Sequence, residues 1–546
     1  MKLDYKQRSF IWQFLTVGFF VLIWVELFNL QIIQSPILTT LAKKQYSRPP
    51  ILLRGEIRDR NGNLLVLDYV TYDIYNNIEK LSVLTEEKIN RLAELLKISA
   101  TELDKRLRTY RVNTKICGGI NESTANKIDR ELKELAYSYP KIVRLYPHNK
   151  MASHIIGFVN ADHMGQHGVE YFHQDLITKP SFANYKSLFQ KGTDIALTID
   201  SVLQEYAEEE LSKAIKSSKA NRGSVIVLSP KTGEIYAWAV YPSFNPNFFF
   251  REKAIKNWAI TDIYQPGSTF KILTISSGLE NMTIDKNFSY FDTGVLKISN
   301  RIIRNHNKTK PQNINLLELF KQSSNIASAQ VGLSMNPEMF YNSIKKFMIG
   351  TKTNIDLPGE SNGLLLDYKK WKTLDLATTA FGQGAVSVTP IQLACAVSAV
   401  ANHGIWVQPH VLKGTWDSKY KLINESPYEI DTEQVISPEV AEYVSGLLKQ
   451  SVKENLIAMA YIAGNVEGYE VAGKTGTAQK IRSDGKGYWG GHTVASFIGY
   501  LPADNPQILT LVVIDDPKTG GGWGNTVCGP VFNKVAKMAA KRILES

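Results

Sequence analysis

The chain has 546 residues, 44% hydrophobic and 21% charged, an ordinary folded composition that excludes disordered, collagen-like and low-complexity architectures. Its length exceeds one compact core and predicts about three or four domain-sized units. Lys and Arg number 63 against 52 Asp and Glu, a basic balance that attracts polyanions without choosing among them, and three scattered cysteines exclude a disulfide framework or a Cys-based metal site.

From Phe10 to Val25 the run FIWQFLTVGFFVLIWV carries one amide, Gln13, and no charge. Extended to Ile33 it is 24 residues long, enough to cross a hydrocarbon core of ~30 Å at 1.5 Å per residue. The segment from Glu26 to Gln34 lacks the small residues of a cleavage site, so the reading is an uncleaved signal-anchor (10–33) behind a short tail (1–9). Lys2, Lys6 and Arg8 precede the span and the next basic residue is Lys43, which predicts a cytoplasmic tail and an extracytoplasmic body. Glu26 is expected at the interface.

Residues 34–190 mix strand-like and helical pieces and read as an interaction or spacer module. Asn61-Gly62 signals a turn before the alternating strand LLVLDYVTYDIY, and Thr85 to Leu107 reads as two amphipathic helices broken near Ser99. His163, His167, Glu170 and His173 are close in sequence, but Gly165 and Gly168 interrupt any helical face, so a loop leading into a helix is expected rather than a metal site. From 191 to the end the texture changes. Asp194–Asp200 reads as a short strand, Val202–Ser217 as a helix, and Gly223–Leu228 with Ile235–Val240 as a hairpin. Thr493–Leu501 and Ile508–Ile514 form a second strand pair, and Pro530–Glu545 a closing helix. The expected fold is α+β, with one antiparallel sheet built from both ends of this region.

Serine acyl-transfer chemistry needs an activated hydroxyl, a base within reach and donors for the oxyanion. Ser-x-x-Lys supplies the first two on one face, provided the lysine pKa is lowered by burial or a neighbouring cation. The motif begins at Ser138, Ser268, Ser343, Ser418 and Ser483, Lys-Thr-Gly at Lys231, Lys474 and Lys518, and Ser-x-Asn at Ser243, Ser323 and Ser334. Context selects among them. Ser268 follows Gln265-Pro-Gly and opens the apolar run STFKILTISSGLENM, expected to be a helix. Lys474 lies in Val471–Gln479, an expected strand of small and β-branched residues along which a substrate backbone can lie.

Ser268-Thr-Phe-Lys271, Ser323-Ser-Asn325 and Lys474-Thr-Gly-Thr477 stand in order, separated by 55 and 151 residues. With Arg54-Gly, His154 to Asn160, Tyr241 to Asn247, Gly382-Gln-Gly384 and Ser496 to Gly499, they make the chain resemble the class B penicillin-binding proteins over nearly its full length. The form Ser-Ser-Asn and the compact pedestal look most like the septal division enzyme, with the elongation paralogue as the near competitor. Asn245, Cys528 and Glu26 depart from that family's usual residues, outside the three motifs.

The resemblance implies a membrane anchor, a pedestal of the dimerisation type (34–190), and a transpeptidase domain with a helix-flanked antiparallel sheet (191–546). It implies Ser268 as nucleophile toward the penultimate D-Ala carbonyl of a stem peptide and Lys271 as base. Ser323 would be a proton relay, Asn325 a ligand of substrate amide and Lys271, and Lys474 the source of the site's electrostatic field. Thr475, Gly476 and Thr477 would bind substrate, and the N–H groups of Ser268 and Thr477 would form the oxyanion hole. It further implies no metal or cofactor, inhibition by β-lactams, residence in the cytoplasmic membrane, no nucleic-acid partner, and a polytopic glycosyltransferase among other division proteins as partners. Two other fates remain open. A hydrolase would need a deacylating Glu, and no Glu-x-x-Leu-Asn segment lies between Ser323 and Lys474. A non-enzymatic β-lactam sensor has no need of every motif residue.

Overall fold

The computed structural model describes residues 5–35, 51–79, 81–180, 189–306, 311–416, 422–425, 429–458, 462–482 and 487–545. An N-terminal unit, residues 1–53 with 182–191, contains the helix Tyr5–Phe28, continued by a π turn over Asn29–Ile33. Within it Phe10–Ile33 is 24 residues of apolar helix, long enough to cross a membrane, and Phe10, Trp12, Phe14 and Trp24 are all exposed. The short strand Ile51–Leu53 pairs in parallel with Phe189–Lys191 in the same unit.

The second unit holds everything else. Its first part is built on the long strand Leu64–Asn76, paired antiparallel along its length with Ala136–Leu145 and near its end with Lys115–Ile120. Helices Glu86–Leu96 and Ala100–Thr109 pack Leu92, Leu96, Leu103 and Leu107 against Ile74 and Ile128, as the two-helix expectation requires. The histidine-bearing segment is a strand, Gly165–His167, followed by two short helices, Gly168–Phe172 and Gln174–Thr178.

Glu170 of that segment sits in a buried ionic knot. Its Oε2 accepts from Arg54 at 2.7 Å, its Oε1 from Arg144 Nε at 2.6 Å, and Arg144 also meets Asp68 Oδ1 at 3.1 Å. Burial alone would raise the Glu170 pKa, but Arg144 and Arg54 outweigh it and hold the carboxyl below its usual range. His173 meets Asp356 Oδ2 at 3.0 Å, and Asp356 accepts the N–H groups of Val411 and Leu412 at 2.7 and 2.9 Å. These contacts tie residues of the first part to the C-terminal part. A strand does the same: Ile195–Leu197 runs parallel to Ile57–Arg58 and antiparallel to Leu412–Trp416.

The C-terminal part contains, in chain order, α1 (Ser201–Ser218), β1 (Arg222–Leu228), β2 (Ile235–Tyr241), α2 (Lys271–Glu280), α3 (Leu316–Gln322), α4 (Asn325–Ser334), α5 (Pro390–Ala401), α6 (Pro438–Ile457), β3 (Ala472–Ile481), β4 (Tyr488–Leu501), β5 (Ile508–Asp515) and α7 (Gly529–Ile543). The five strands form one antiparallel sheet in the order β2-β1-β5-β4-β3. Strand alternation divides its side chains between two faces. Val225 and Val227, Val512 and Ile514, and Ala495 and Phe497 pack on Leu203, Leu211 and Ile215 of α1 and on Phe532 and Val535 of α7. Ile226 and Leu228, Leu511 and Val513, and Ile498 and Tyr500 join the cluster of α2 and α5 on the other face.

α5 is buried at all 12 positions, so its ends depend on local signals. Thr389 caps it, accepting from Gln392 N while Gln392 Oε1 accepts from Thr389 N, and Pro390 occupies the first turn where its missing N–H costs nothing. Strand β3 is one of the sheet's two edge strands, with β4 as its sheet neighbour. Its free edge faces the turn that carries Ser268.

Candidate active site

Pro266 and Gly267 end an extended segment whose Tyr264 exchanges backbone hydrogen bonds with Val388. Gly267 adopts φ +59° and donates its N–H to Gly382 O at 3.0 Å. Residues Gly267–Phe270 then make a 3₁₀ turn, and the α-helix α2 begins only at Lys271 and ends at Glu280. This corrects the expectation of a continuous helix from Ser268. In the tighter turn, residues i and i+3 lie one above the other instead of rotated by about 60°, so Ser268 and Lys271 share a face more closely than an α-helix allows.

Two glycines let β3 approach this turn. A Cβ on Gly476 would lie 2.3 Å from Ser496 Oγ, 3.0 Å from Thr269 Cγ2 and 3.1 Å from Pro266 O. A Cβ on Gly267 would lie 3.1 Å from Thr477 O, at a φ that L-residues rarely adopt. The half-buried Ser268 and Thr477 therefore stand side by side across the gap between turn and strand.

Lys271 is 0% exposed. Its Nζ donates to Ser323 O at 2.5 Å and to Asn325 Oδ1 at 2.9 Å, and lies 3.2 Å from Ser323 Oγ. Lys474, also buried, brings its Nζ to 3.1 Å from the same hydroxyl and to 3.2 Å from Thr475 O. One hydroxyl thus bridges two amines. Burial first, and the Lys474 charge second, push the Lys271 amine well below an ordinary lysine pKa, while Asp292 acts the other way. Lys474 is lowered to about 7 by burial.

Ser323 can occupy the bridge because it adopts φ +55° as the C-terminal cap of α3, turning the chain sharply into α4. Ser324 then caps α4, its Oγ accepting from Ala327 N at 3.0 Å. On the strand side, Thr477 Oγ1 accepts from Gly524 N at 3.3 Å. Next to Gly524, the Trp523 ring meets His306 with centroids 4.1 Å apart, joining the loop after β5 to the loop that approaches α4.

All eight candidate site residues are thereby brought to one place: Ser268 on the turn, Lys271 on α2, Ser323 and Asn325 between α3 and α4, and Lys474, Thr475, Gly476 and Thr477 on β3. The rival motif copies lie elsewhere in the hydrogen-bond network. Ser343 donates to Met339 O, Ser138 to Asp129, Lys231 to Asn505 and Lys518 to Asp516, while Ser418 and Ser483 lie outside the described residues. Asp292 and Asn305 stand directly behind the Ser323–Asn325 segment, and no sequence reading singled them out. A carboxylate or amide in polar sequence carries no motif, and only the folded contact marks it. Gly382 belongs to the Gly-Gln-Gly pattern visible in the sequence, but its backbone contact with Gly267 arises only in the fold.

Residues 223–537 match the family described as the penicillin binding protein transpeptidase domain, and residues 52–204 the penicillin-binding protein dimerisation domain. Stage V sporulation protein D of Bacillus subtilis is 31% identical over 545 residues, covering 95% of this chain and 83% of that protein. A peptidoglycan D,D-transpeptidase FtsI homolog of Mesostigma viride is 30% identical, covering 94% of each chain. The crystal structure of penicillin binding protein 3 from Mycobacterium tuberculosis, complexed with aztreonam, shares the fold with a TM-score of 0.71 at 24% identity, over 91% of this chain and 96% of that one.

The chain belongs to the penicillin-binding protein transpeptidase family. Its dimerisation domain beside the transpeptidase domain, and relatives named as peptidoglycan D,D-transpeptidases, make it a class B penicillin-binding protein, an enzyme that cross-links peptidoglycan.

Proposed function

We propose that this transpeptidase works through an acyl-enzyme on Ser268, formed with the stem peptide's penultimate D-Ala and passed to an acceptor amine. The observation that carries the reading is the Ser323 hydroxyl between the Lys271 and Lys474 amines, beside the serine turn. Lys271, its amine pKa lowered by burial and by Lys474, takes the proton of Ser268 Oγ as it attacks the carbonyl. The oxyanion is received by the N–H groups of Ser268 and Thr477. Collapse expels the terminal D-Ala, whose nitrogen takes a proton relayed through Ser323. The free edge of β3 suits an extended peptide laid alongside it, with Thr475 and Thr477 toward the terminal carboxylate and Asn325 toward a substrate amide. Deacylation repeats these steps in reverse with an amine in place of D-Ala.

In this reading residues 10–33 anchor the protein in the cytoplasmic membrane, with 1–9 inside and the body outside. Residues 34–190 are the pedestal and 191–546 the catalytic domain. β-Lactams, which a related protein of known structure binds, acylate Ser268 and inhibit the enzyme. Glycan strands come from a separate polytopic glycosyltransferase within the division machinery. The role is septal, supported by relatives named FtsI, with side-wall elongation as the competing role. The sporulation name of the Bacillus relative supports a second reading, wall synthesis during spore formation.

Covalent labelling by a fluorescent penicillin tests the site: wild type should label and Ser268→Ala should not, while Ser343→Ala labels normally. Labelling retained in Ser268→Ala would place the nucleophile elsewhere. A fluorescent fusion tests the role. Septal bands in vegetative cells support division, side-wall signal supports elongation, and signal confined to sporulating cells supports the second reading.

A further inference from the structure

Behind the Ser323–Asn325 segment lies a polar cluster that the acyl-transfer scheme does not use. Asp292 ends the strand Ser289–Asp292 and is 2% exposed. Its Oδ2 accepts from Ser324 Oγ at 2.6 Å and from Asn305 Nδ2 at 2.7 Å, and its Oδ1 from Gly294 N at 2.7 Å. With its amide nitrogen given to Asp292, Asn305 turns its Oδ1 toward α4, where it accepts from Asn325 N at 2.9 Å and Ile326 N at 3.2 Å. Asn325 in turn holds Lys271 through Oδ1 and donates its amide to Arg304 O at 3.1 Å. The chain of contacts is therefore Asp292–Asn305–Asn325–Lys271, with a branch through Ser324, the cap of α4.

A buried carboxylate with three hydrogen bonds is costly to desolvate and is retained where its charge or its geometry matters. Both are engaged here. Its three donors are neutral groups, so none cancels the charge locally. Among the described residues, the charged groups bearing on Lys271 are Lys474, from β3, and Asp292, while Ser323 and Asn325 face it as neutral groups. Arg301 and Arg304, on the neighbouring hairpin strand, point their side chains to solvent.

We propose that Asp292 is a positioning residue for acylation: through Asn305 and Ser324 it fixes the Ser323–Asn325 segment against Lys271, and its carboxylate places a negative charge behind that segment that opposes the Lys474 charge at Lys271. The inference rests on the reading of Lys271 as the base. The carboxylate favours the protonated amine, so it opposes the lowering that burial and Lys474 impose on Lys271.

The test is the acylation rate of the full-length protein in detergent by one slow β-lactam, as a function of pH. Asp292→Asn removes the charge and one acceptor. Its acidic limb should move to lower pH, because the protonated amine has lost a stabilising anion, and its plateau should fall about 10²-fold, the cost of an ångström-scale misplacement. Asn305→Ala keeps the charge and cuts the link, so its plateau should fall while the limb stays. A purely structural Asp292 would lower the plateau and the thermal midpoint in both variants and leave both limbs in place, overturning the charge role. A wild-type plateau in Asn305→Ala would overturn the positioning role even if Asp292→Asn fails to fold. Lys271→Arg run alongside separates the two readings: if it acylates normally, the base assignment fails rather than the role of Asp292.

Discussion

Replacing Lys474 by Gln tests the cause of the lowered Lys271 pKa on which its proposed role as base depends. An unperturbed lysine, with a pKa of ~10.4, is almost wholly protonated at neutral pH and cannot accept a proton from Ser268. Lys271 is buried completely, and burial is the larger cause of its lowered pKa. Lys474 is the second. The two nitrogens are each about 3 Å from Ser323 Oγ, so they stand no more than roughly 6 Å apart. Two unit charges at that distance repel by on the order of 3 kcal/mol at an effective dielectric of about 20. In Lys474→Gln this repulsion vanishes, the protonated Lys271 is less disfavoured, and the acidic limb of the acylation profile should move to higher pH. Burial persists, so the limb should stay below the range of a free lysine. Lys271→Arg keeps a cation that holds its proton at any working pH, and acylation should fall by ~10²–10⁴, the usual loss with a general base. The assay is the second-order acylation rate by a slow β-lactam from pH 5 to pH 10, for wild type and both variants. An unmoved limb in Lys474→Gln would remove Lys474 as a cause, and near wild-type acylation in Lys271→Arg would remove Lys271 as the base.

Gly476→Val should abolish penicillin labelling without unfolding the protein, because its Cβ would lie 2.3 Å from Ser496 Oγ, 3.0 Å from Thr269 Cγ2 and 3.1 Å from Pro266 O and push β3 off the serine turn; circular dichroism with gel labelling checks both halves. Glu170→Ala should lower the thermal midpoint strongly, since removing one partner of a buried ion pair typically costs about 3–5 kcal/mol. The same carboxyl makes the first part of the fold acid-sensitive: with its folded pKa depressed, its stabilisation is present above its unfolded pKa and is lost as pH falls through the lower folded value. Glu208, pushed up to about 7 by burial, has the opposite sign. Its cost is absent below its unfolded pKa and grows as pH rises to the folded value, so Glu208→Gln should raise the thermal midpoint at pH 8 and leave it nearly unchanged below about pH 4. The Gln oxygen can keep both contacts that Glu208 Oε1 now accepts, from Ala152 N and Gln204 Nε2.

Elements defined by short-range pattern were legible before the structure. The hairpin around Ser229 to Glu234 declares itself by a turn between two apolar runs, and the membrane-length helix by an uncharged stretch. The serine and lysine motifs were separable from their copies because Ser268 and Lys474 alone lie in apolar or small-residue context. The two causes of the lowered Lys271 pKa were also legible, since motif order implies that Lys474 comes close. What was not legible depends on distance along the chain. Glu170 looked like part of a histidine cluster because Arg54 and Arg144, its partners, lie 116 and 26 residues away. The 3₁₀ turn at Ser268 reflects the approach of β3 and the contact between Gly267 and Gly382, and local propensity cannot report either. Asp292 and Asn305 belong to the same class, being ordinary polar residues until α4 is laid against them.

Transpeptidation as proposed requires that an acyl group held on Ser268 pass to an amine. The direct measurement uses purified full-length protein, a stem-pentapeptide thioester or lipid-linked donor, and an amine acceptor, with released D-Ala or thiol, cross-linked product and hydrolysed product quantified together by mass spectrometry. The expected result is product joined to the acceptor in proportion to acceptor concentration, an acyl adduct on the peptide containing Ser268, and loss of both in Ser268→Ala. Donor turnover that yields only the hydrolysed peptide at every acceptor concentration, or an adduct on another residue, would contradict it.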